Sequence, residues 1–410
     1  MFMLSRVPRI IETLMVDFQF LFDDLQWLHL QPLLLSLLLT PYKATLSGME
    51  RVLAFGSHRT KHNEFLQHTT PILSKLLNFW TMMLLSILKK SGEIVYLIID
   101  DTSNKKRGKH IDAAFSFFDH VSKQYMVGHQ IVCAIIKYRG LVFPLALEIY
   151  VTRDQCAVLH REFKKKTDIA KDMIHRFEMD EKVRVYVLAD SFYSNQKIMQ
   201  ECREKRYTFI SVLKENRVFT CQGKTTTVQQ FIGEHRKHIL QQKNIRIGTG
   251  RYKAITRSVT LKSGGAVKVV FSKHHSHNTV MAVFTTNTAL SEYSIIEAYR
   301  NRWTIEIFFK MSKTYLGFKA YHNRNIATIQ SYLTLTMCAH NLLTHVFIHD
   351  LRAQGKKLTD KNLAHFSVLS MRDRVWHIAI LDTVDHCLHQ HRTCKADEVV
   401  ENLRRLLIAA

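Results

Sequence analysis

The sequence predicts an α/β protein: a mixed-sheet core, a β-rich insertion ahead of its last acidic helix, and helical segments at both ends. Three observations predict it. Two apolar runs of strand length, IVYLIID at 94–100 and VRVYVLAD at 183–190, each end on an acid. Strands apolar on both faces are those buried in the middle of a sheet. Between 214 and 291, short runs such as AVKVVFS and TVMAVFTT are joined by turns at Gly248, Gly250, Gly264 and Gly265, the grammar of consecutive strands. Apolar residues at helical spacing fill the first 90 residues and the stretches 326–348 and roughly 375–410.

Composition narrows the class. A chain of 410 residues is natural for two or three domains, and 46% hydrophobic residues exclude global disorder. Lys plus Arg number 58 against 35 Asp plus Glu, a net charge of +23. So basic a folded chain calls for a polyanion, with nucleic acid ahead of an anionic membrane surface. The longest apolar run, 33–39 with Ser36 inside, is far short of the ~20 residues a spanning helix needs. Glu12, Asp17, Asp23 and Asp24 break up the N-terminus, which does not read as a secretory signal. Seven scattered cysteines match a reducing, cytoplasmic compartment.

In order along the chain, Leu14, Phe18, Leu21, Phe22 and Leu25 recur at helical spacing, and Pro32, Pro41 and Gly48 punctuate the segment. Ser57 is a candidate cap before His58, Arg59, Lys61 and His62, and a second helix is expected from Pro71 to about residue 90. This 1–90 module is a candidate for DNA contact through its basic turn. The core then begins: strands at 94–100, 114–120 and 128–136, and a further pair or edge strand at 141–151, where Pro144 disfavours a central place. An amphipathic helix is expected at 157–177, a strand at 183–190, a helix capped by Ser194 at 194–205 and a strand at 207–213. The expected units are 1–90, 91–213, 214–292, 293–345 and 346–410.

The stretch 299–313, YRNRWTIEIFFKMSK, reads as one helix. At about 100° per residue, Tyr299, Arg302, Glu306, Lys310 and Lys313 fall within one stripe roughly 80° wide. Ile307 and Phe308 point elsewhere, as anchors to a core, and Trp303 reads best as a core residue, with stacking on a base as its functional alternative. Asp100 and Asp190 end central strands, at the sheet edge where open α/β folds place their chemistry. Three acids gathered there repel one another unless cations lie between them. Two Mg2+ ions, with Mn2+ as a substitute, are the simplest answer: they take carboxylate oxygens, keep waters and stabilise both oxygens of a phosphodiester displacement. Asp100 is favoured over Asp101 because it directly ends the apolar run, and Asp101 stands in reserve. Lys105, Lys106, Arg107 and Lys109 form a basic run beside the first acid, and Lys164, Lys165 and Lys166 a second with less positional support. His274, His275 and His277 read as surface, as do His386, Cys387, His389, His391 and Cys394, whose spacing fits no common zinc finger.

The chain resembles the DDE transposases of bacterial insertion sequences, in particular the insertion-sequence-four-like group. That group's signature of Tyr, two residues, Arg, three residues, Glu, six residues and Lys is reproduced as Tyr299, Arg302, Glu306 and Lys313. LIIDDTSNKKRGK and VLADSFYSN resemble the blocks around the group's first two catalytic acids, which fall on Asp100 and Asp190. The resemblance covers roughly residues 90–345. It implies a ribonuclease-H-like core and metal-dependent cleavage at element ends. A 3′ hydroxyl would then attack the opposite strand or target DNA, in a bacterial, nucleoid-associated homodimer paired on double-stranded DNA. Asp100, Asp190 and Glu306 would hold the metals; Tyr299, Arg302, Lys310 and Lys313 would hold phosphate. A metal-dependent nuclease without strand transfer and a non-catalytic DNA-binding descendant are the competing readings.

Overall fold

In a computed structural model, residues 6–40, 44–52, 58–90, 92–108, 110–119 and 122–390 are described. The first of these form α1 (Arg9–Met15), a 3-10 turn at Val16–Leu21, α2 (Asp24–Leu39), α3 (Leu46–Glu50), α4 (Arg59–His68) and α5 (Thr70–Leu88). Asp23 and Gln26 close a reciprocal capping box on α2, which serves two of the donors a helix start leaves unpaired. Pro32 was expected to break the chain, but α2 runs through it. Every residue from His29 to Leu39 except Gln31 is buried, and that burial outweighs the hydrogen bond a proline removes. Ser57 lies outside the described residues; His58 caps α4 instead. α5 is long and apolar enough for a membrane span by composition, yet its Leu73, Leu76, Leu77, Trp80, Leu84 and Leu85 are buried within the protein.

The core sheet follows from β1 (Ile94–Lys105), β2 (Phe115–Asp119), β3 (Gln124–Tyr138), β4 (Leu141–Ile149), β5 (Arg184–Ala189) and β6 (Thr208–Val212). β1 is central: it pairs antiparallel with β3 on one side and parallel with β5 on the other, and β6 adds parallel to β5. β2 and β4 share the far side of β3. β4 carries Pro144 as an edge strand, as expected from its missing donor. The free edge is not left open: Thr81 donates to the Pro144 carbonyl, and Gln330 bonds both Leu147 O and Ile149 N as a neighbouring strand would. This mixed α/β arrangement fits the ribonuclease-H-like endonuclease fold the resemblance implies.

Helices α6 (Arg153–Val158) and α7 (Lys166–Arg176) replace the single helix expected at 157–177. The break lies at His160, whose φ is +50°, a left-handed conformation that no helix continues through. α8 (Gln196–Glu204) is capped by Asn195 rather than Ser194, through a bond from the Ile198 amide. Beyond it lie β7 (Val218–Cys221), β8 (Lys224–Thr227), α9 (Val228–Gln241), β9 (Ile245–Ile247), β10 (Gly250–Leu261), β11 (Gly265–His274) and β12 (Val280–Thr285). These strands extend the core sheet, because β12 pairs antiparallel with β6 and is followed by β11, β10, β7 and β8.

The chain then crosses back over the acid edge as α10 (Glu292–Arg300), a 3-10 turn at Asn301–Trp303, and α11 (Thr304–Tyr315). One unbroken helix was expected. Asn301 turns its amide onto the Glu297 and Ala298 carbonyls, the local competition with backbone that tightens a helix. Gly317 ends α11 at φ +73°, where a Cβ would meet Ala44 at 2.7 Å and the Tyr332 hydroxyl at 2.8 Å, so only glycine closes this terminus. α12 (Ile326–Ala353) is buried along almost its whole length and packs against α2, α4, α5 and β4. α13 (Asp360–Leu363) and α14 (Val368–Gln390) complete the described chain.

Candidate active site at the acid edge of the sheet

Parallel pairing puts the first two acids side by side. Ile99 is the register partner of Ala189, so Asp100 and Asp190 follow at the same level on neighbouring strands. β5 stops there, as expected. β1 does not: it continues to Lys105 because β3 still pairs with it through Gly128. Asp100 therefore sits within a strand rather than at its end. Gly128 is required at that register, since a Cβ would lie 2.2 Å from the Asn104 carbonyl oxygen.

Asp100 is largely buried. Burial, and then the Asp190 charge, push its carboxyl up to about 7, against the amide of Asp101, which donates to Oδ1 at 2.9 Å, and against Arg302. Asp190 is also raised, by burial first, although the Phe192 amide donates to its Oδ1 at 2.8 Å. Two carboxyls raised together mark a place that needs positive charge. Arg302 supplies some of it. Its Nη1 lies 3.1 Å from Asp100 Oδ2 and its Nη2 2.5 Å from Glu306 Oε1, so one guanidinium spans two acids from elements 200 residues apart. Tyr299, half-buried beside the same guanidinium, is pushed up to about 12 by burial and stays neutral, its hydroxyl oxygen accepting from Arg302. Lys313 reaches across to β1, where Nζ donates to Thr102 Oγ1 at 2.6 Å and to Ser103 O at 2.9 Å. Burial lowers its pKa, and its partners there are neutral oxygens rather than a carboxylate. Asp100, Asp190, Arg302, Glu306, Lys313 and Tyr299 thus share one edge.

The second acid of the pair has a different setting. Asp101 Oδ2 takes Lys166 Nζ at 2.9 Å, and its Oδ1 accepts from the Tyr193 hydroxyl at 3.0 Å. Neither partner was singled out as a site residue from sequence. Lys166 belongs to the Lys164–Lys166 run, and Tyr193 to the DSFYSN block. Lys164 pairs with Asp172 instead, and Lys165 precedes α7.

Other predicted residues divide. Lys105, Arg107 and Lys310 are exposed, Lys310 one turn beyond Glu306. Lys106 departs from the expected role. Its ammonium donates to the Lys319 and Tyr321 carbonyls at 3.1 and 2.7 Å and lies 3.1 Å from the centre of the Tyr321 ring; burial lowers its pKa to about 7. It ties the loop after β1 to the segment after α11, and this cation faces inward. Lys109 lies outside the described residues. Trp303, read as a core residue, is 58% exposed, and Ile307, read as an anchor, is 48% exposed; Phe308 does anchor the helix. Trp303 and Ile307, four residues apart, share an outward stripe. His274 is half-buried and His275 and His277 are exposed. Of the second His-rich patch, only His386 has a described side chain; the rest lies outside.

Among the described residues no group of three or more His, Cys, Asp or Glu side chains is arranged as a metal centre; the guanidinium stands between Asp100 and Glu306. The donor set is nonetheless that of a hard divalent cation: carboxylate oxygens only, raised by burial and mutual repulsion.

Comparison with known proteins gives concordant results. A family described as DDE superfamily endonuclease matches residues 21–236, more than half of the chain, and one described as transposase DDE domain matches residues 157–342. A curated relative from Microchaete diplosiphon, described as a probable transposase for insertion sequence element IS701, is 29% identical over 181 residues, 42% of this chain and 42% of the relative. The matched stretch spans less than half of that relative's length. With Asp100 and Asp190 at one register of a mixed sheet and Glu306 facing them across Arg302, the chain belongs to the DDE superfamily of endonucleases.

Proposed function

We propose that this protein is the transposase of an insertion sequence, cutting phosphodiester bonds at the element's ends and joining the freed 3′ hydroxyls to target DNA. The observation that carries this reading is the Arg302 guanidinium spanning Asp100 and Glu306 while Asp190 lies at the same sheet register. The insertion-sequence-four-like signature, Tyr299, Arg302, Glu306 and Lys313, supports the same reading. Asp100, Asp190 and Glu306 would hold two divalent ions, Mg2+ by preference. Such ions, when bound, lower the pKa of a coordinated water and stabilise the leaving oxygen of an in-line displacement.

The chain's own residues have separate tasks. Arg302, planar and always charged, suits bidentate contact with a phosphate. Lys313 holds a charge at the floor of the edge, and Tyr299 orients the guanidinium from behind. Lys105, Arg107 and Lys310 attract the duplex from the rim. Residues 214–292 act as an insertion that widens the DNA-facing edge, 91–213 and 293–345 form the catalytic core, and the described helices of 1–90 and of 346–390 pack behind it. The protein works in the cytoplasm, as a homodimer once two DNA ends are paired.

The test is Mg2+-dependent cleavage and joining of a duplex carrying the element's end, with Glu306→Gln alongside the wild type. Loss of cleavage by roughly 10³-fold or more, with DNA binding retained, is the expected outcome. Cutting that survives the substitution removes Glu306 from the chemistry.

A further inference from the structure

A cleft of about 450 Å3 opens beside the second acid, with walls that begin at Ser191, the residue next to Asp190. Three cations line it: Lys214 and Arg217, from the turn after β6, and Lys262, from the tip of the β10–β11 hairpin. No acid lines it, and none of the three cations forms an ion pair among the described residues. Like charges gathered without a counter-charge repel one another, and folding gains nothing from placing them together.

The placement is nonetheless built. Arg217 is held by two bonds to Ser263, each 3.3 Å. The hairpin tip is fastened to α8, where Arg203 donates to the Gly264 carbonyl and a Cβ on Gly264 would meet Met199 at 2.5 Å. Ser194 and Asn195, at the start of α8, form the opposite wall. The positive end of a nine-residue helix, its Ile198 amide already capped by Asn195, therefore borders the same space. Phe192 sits at the mouth, 43% exposed, with Lys166 Nζ 4.7 Å and Lys214 Nζ 5.9 Å from its ring centre.

We infer that this cleft is a binding site for a backbone phosphate of the DNA strand that passes the acid edge. The inference rests on the transposase reading only for the identity of the polyanion. Cations from two separate chain segments and the start of a helix line one space that begins beside Asp190 and is open to solvent, so a continuous strand can enter and leave. On this account the strands beyond β6 do more than extend the sheet: they carry Lys262 into the cleft that begins next to the second acid.

The experiment uses the full chain and a short fluorescent duplex, with anisotropy titrations over a range of salt. Lys214→Gln combined with Lys262→Gln is compared with Lys237→Gln combined with Lys243→Gln, two exposed cations outside the cleft that remove the same net charge. Both substituted lysines of the cleft are exposed, and thermal melts verify that each pair folds. The expected result is that the cleft pair lowers the slope of log affinity against log salt by about 1, the loss of one phosphate contact. It should also weaken binding roughly five- to tenfold at moderate salt, an effect the control pair does not produce. Equal slopes for the two pairs would overturn the inference. So would an unchanged slope together with loss of stabilisation by inorganic phosphate alone, which would make this a site for a small free anion. A wild type that fails to cut DNA while the cleft pair still lowers the slope would sink the transposase chemistry and leave the cleft standing; cutting with an unchanged slope does the reverse.

Discussion

At the acid edge, Asp100 and Glu306 share Arg302, and Asp101 is met by Lys166 and Tyr193. In the helical layer behind it, His29, His62, His340 and His345 are buried or half-buried, each with an Nδ1 that finds no hydrogen-bond partner among the described residues. Both regions remove ionisable groups from water. The edge gives its carboxyls a shared cation that works against their burial, although burial still raises Asp100 and Asp190; the layer keeps its groups neutral by lowering their pKa. Burial takes His62, His340 and His345 to about 4, and lowers His29 as well. The first solution is costly and worth its cost only where charge is used; the second costs little at neutral pH and fails in acid.

The comparison can be broken most directly at Arg302. Its replacement by alanine leaves Asp100 and Glu306 without their shared cation, and cleavage should fall by roughly 10²–10³-fold. Arg302→Lys should recover little, because an ammonium cannot span two carboxylates as a planar fork does. Rates within a fewfold of wild type for both variants would mean that the acids do not depend on this charge.

The helical layer makes a pH-dependent prediction. A histidine whose folded pKa is depressed binds its proton first in the unfolded chain, so stability is full above about 6.5 and declines as pH falls toward 4. For His62 the loss amounts to at most about 3 kcal/mol at the acid end. Thermal melts between pH 7 and pH 4.5 should show a steep decline, and His62→Leu should flatten part of it while leaving the melting temperature at pH 7 near that of wild type. A flat wild-type profile would show that these rings are not buried neutral.

The smallest effect sharpens the distinction within the pair of adjacent acids. Asp101→Asn keeps an acceptor for Tyr193 and removes only the charge that holds Lys166. Cleavage should fall roughly tenfold, against a far larger loss for Asp100→Asn. Equal losses from the two substitutions would put Asp101 on the same footing as Asp100.

How much of this was legible depends on the range over which each residue is decided. The stripe from Tyr299 to Lys313 was readable because helical pitch alone sets which side chains share a face, and the short 3-10 turn at 301–303 shifts that face only slightly. The apolar runs of β1 and β5 declared central strands because their burial on both faces is written in their composition. What the sequence left open was decided across long separations. Lys106 faces inward because a loop 213 residues away offers it two carbonyls, and Asp101 is settled by Lys166 and Tyr193, neither adjacent to it. Pro32 lies inside a helix because its neighbours are buried on all sides. α9 went unread within a stretch whose β-branched runs suggested strands alone, although Thr227 and Gln230 carry a capping box at its start.

The segment between α11 and α12 is buttoned to the first acid's strand at several points. Asn104 bonds Phe318 O, Lys106 bonds Lys319 and Tyr321, His129 meets the Tyr321 hydroxyl, and Asp112 receives the amide of Ile326 and gives its own to Arg324. A gate that lifted α11 away from β1 would have to undo all of these at once. On the proposed function, encounter with a double helix is then a docking onto a finished template, and its speed should follow collision and charge attraction rather than the tempo of an opening lid.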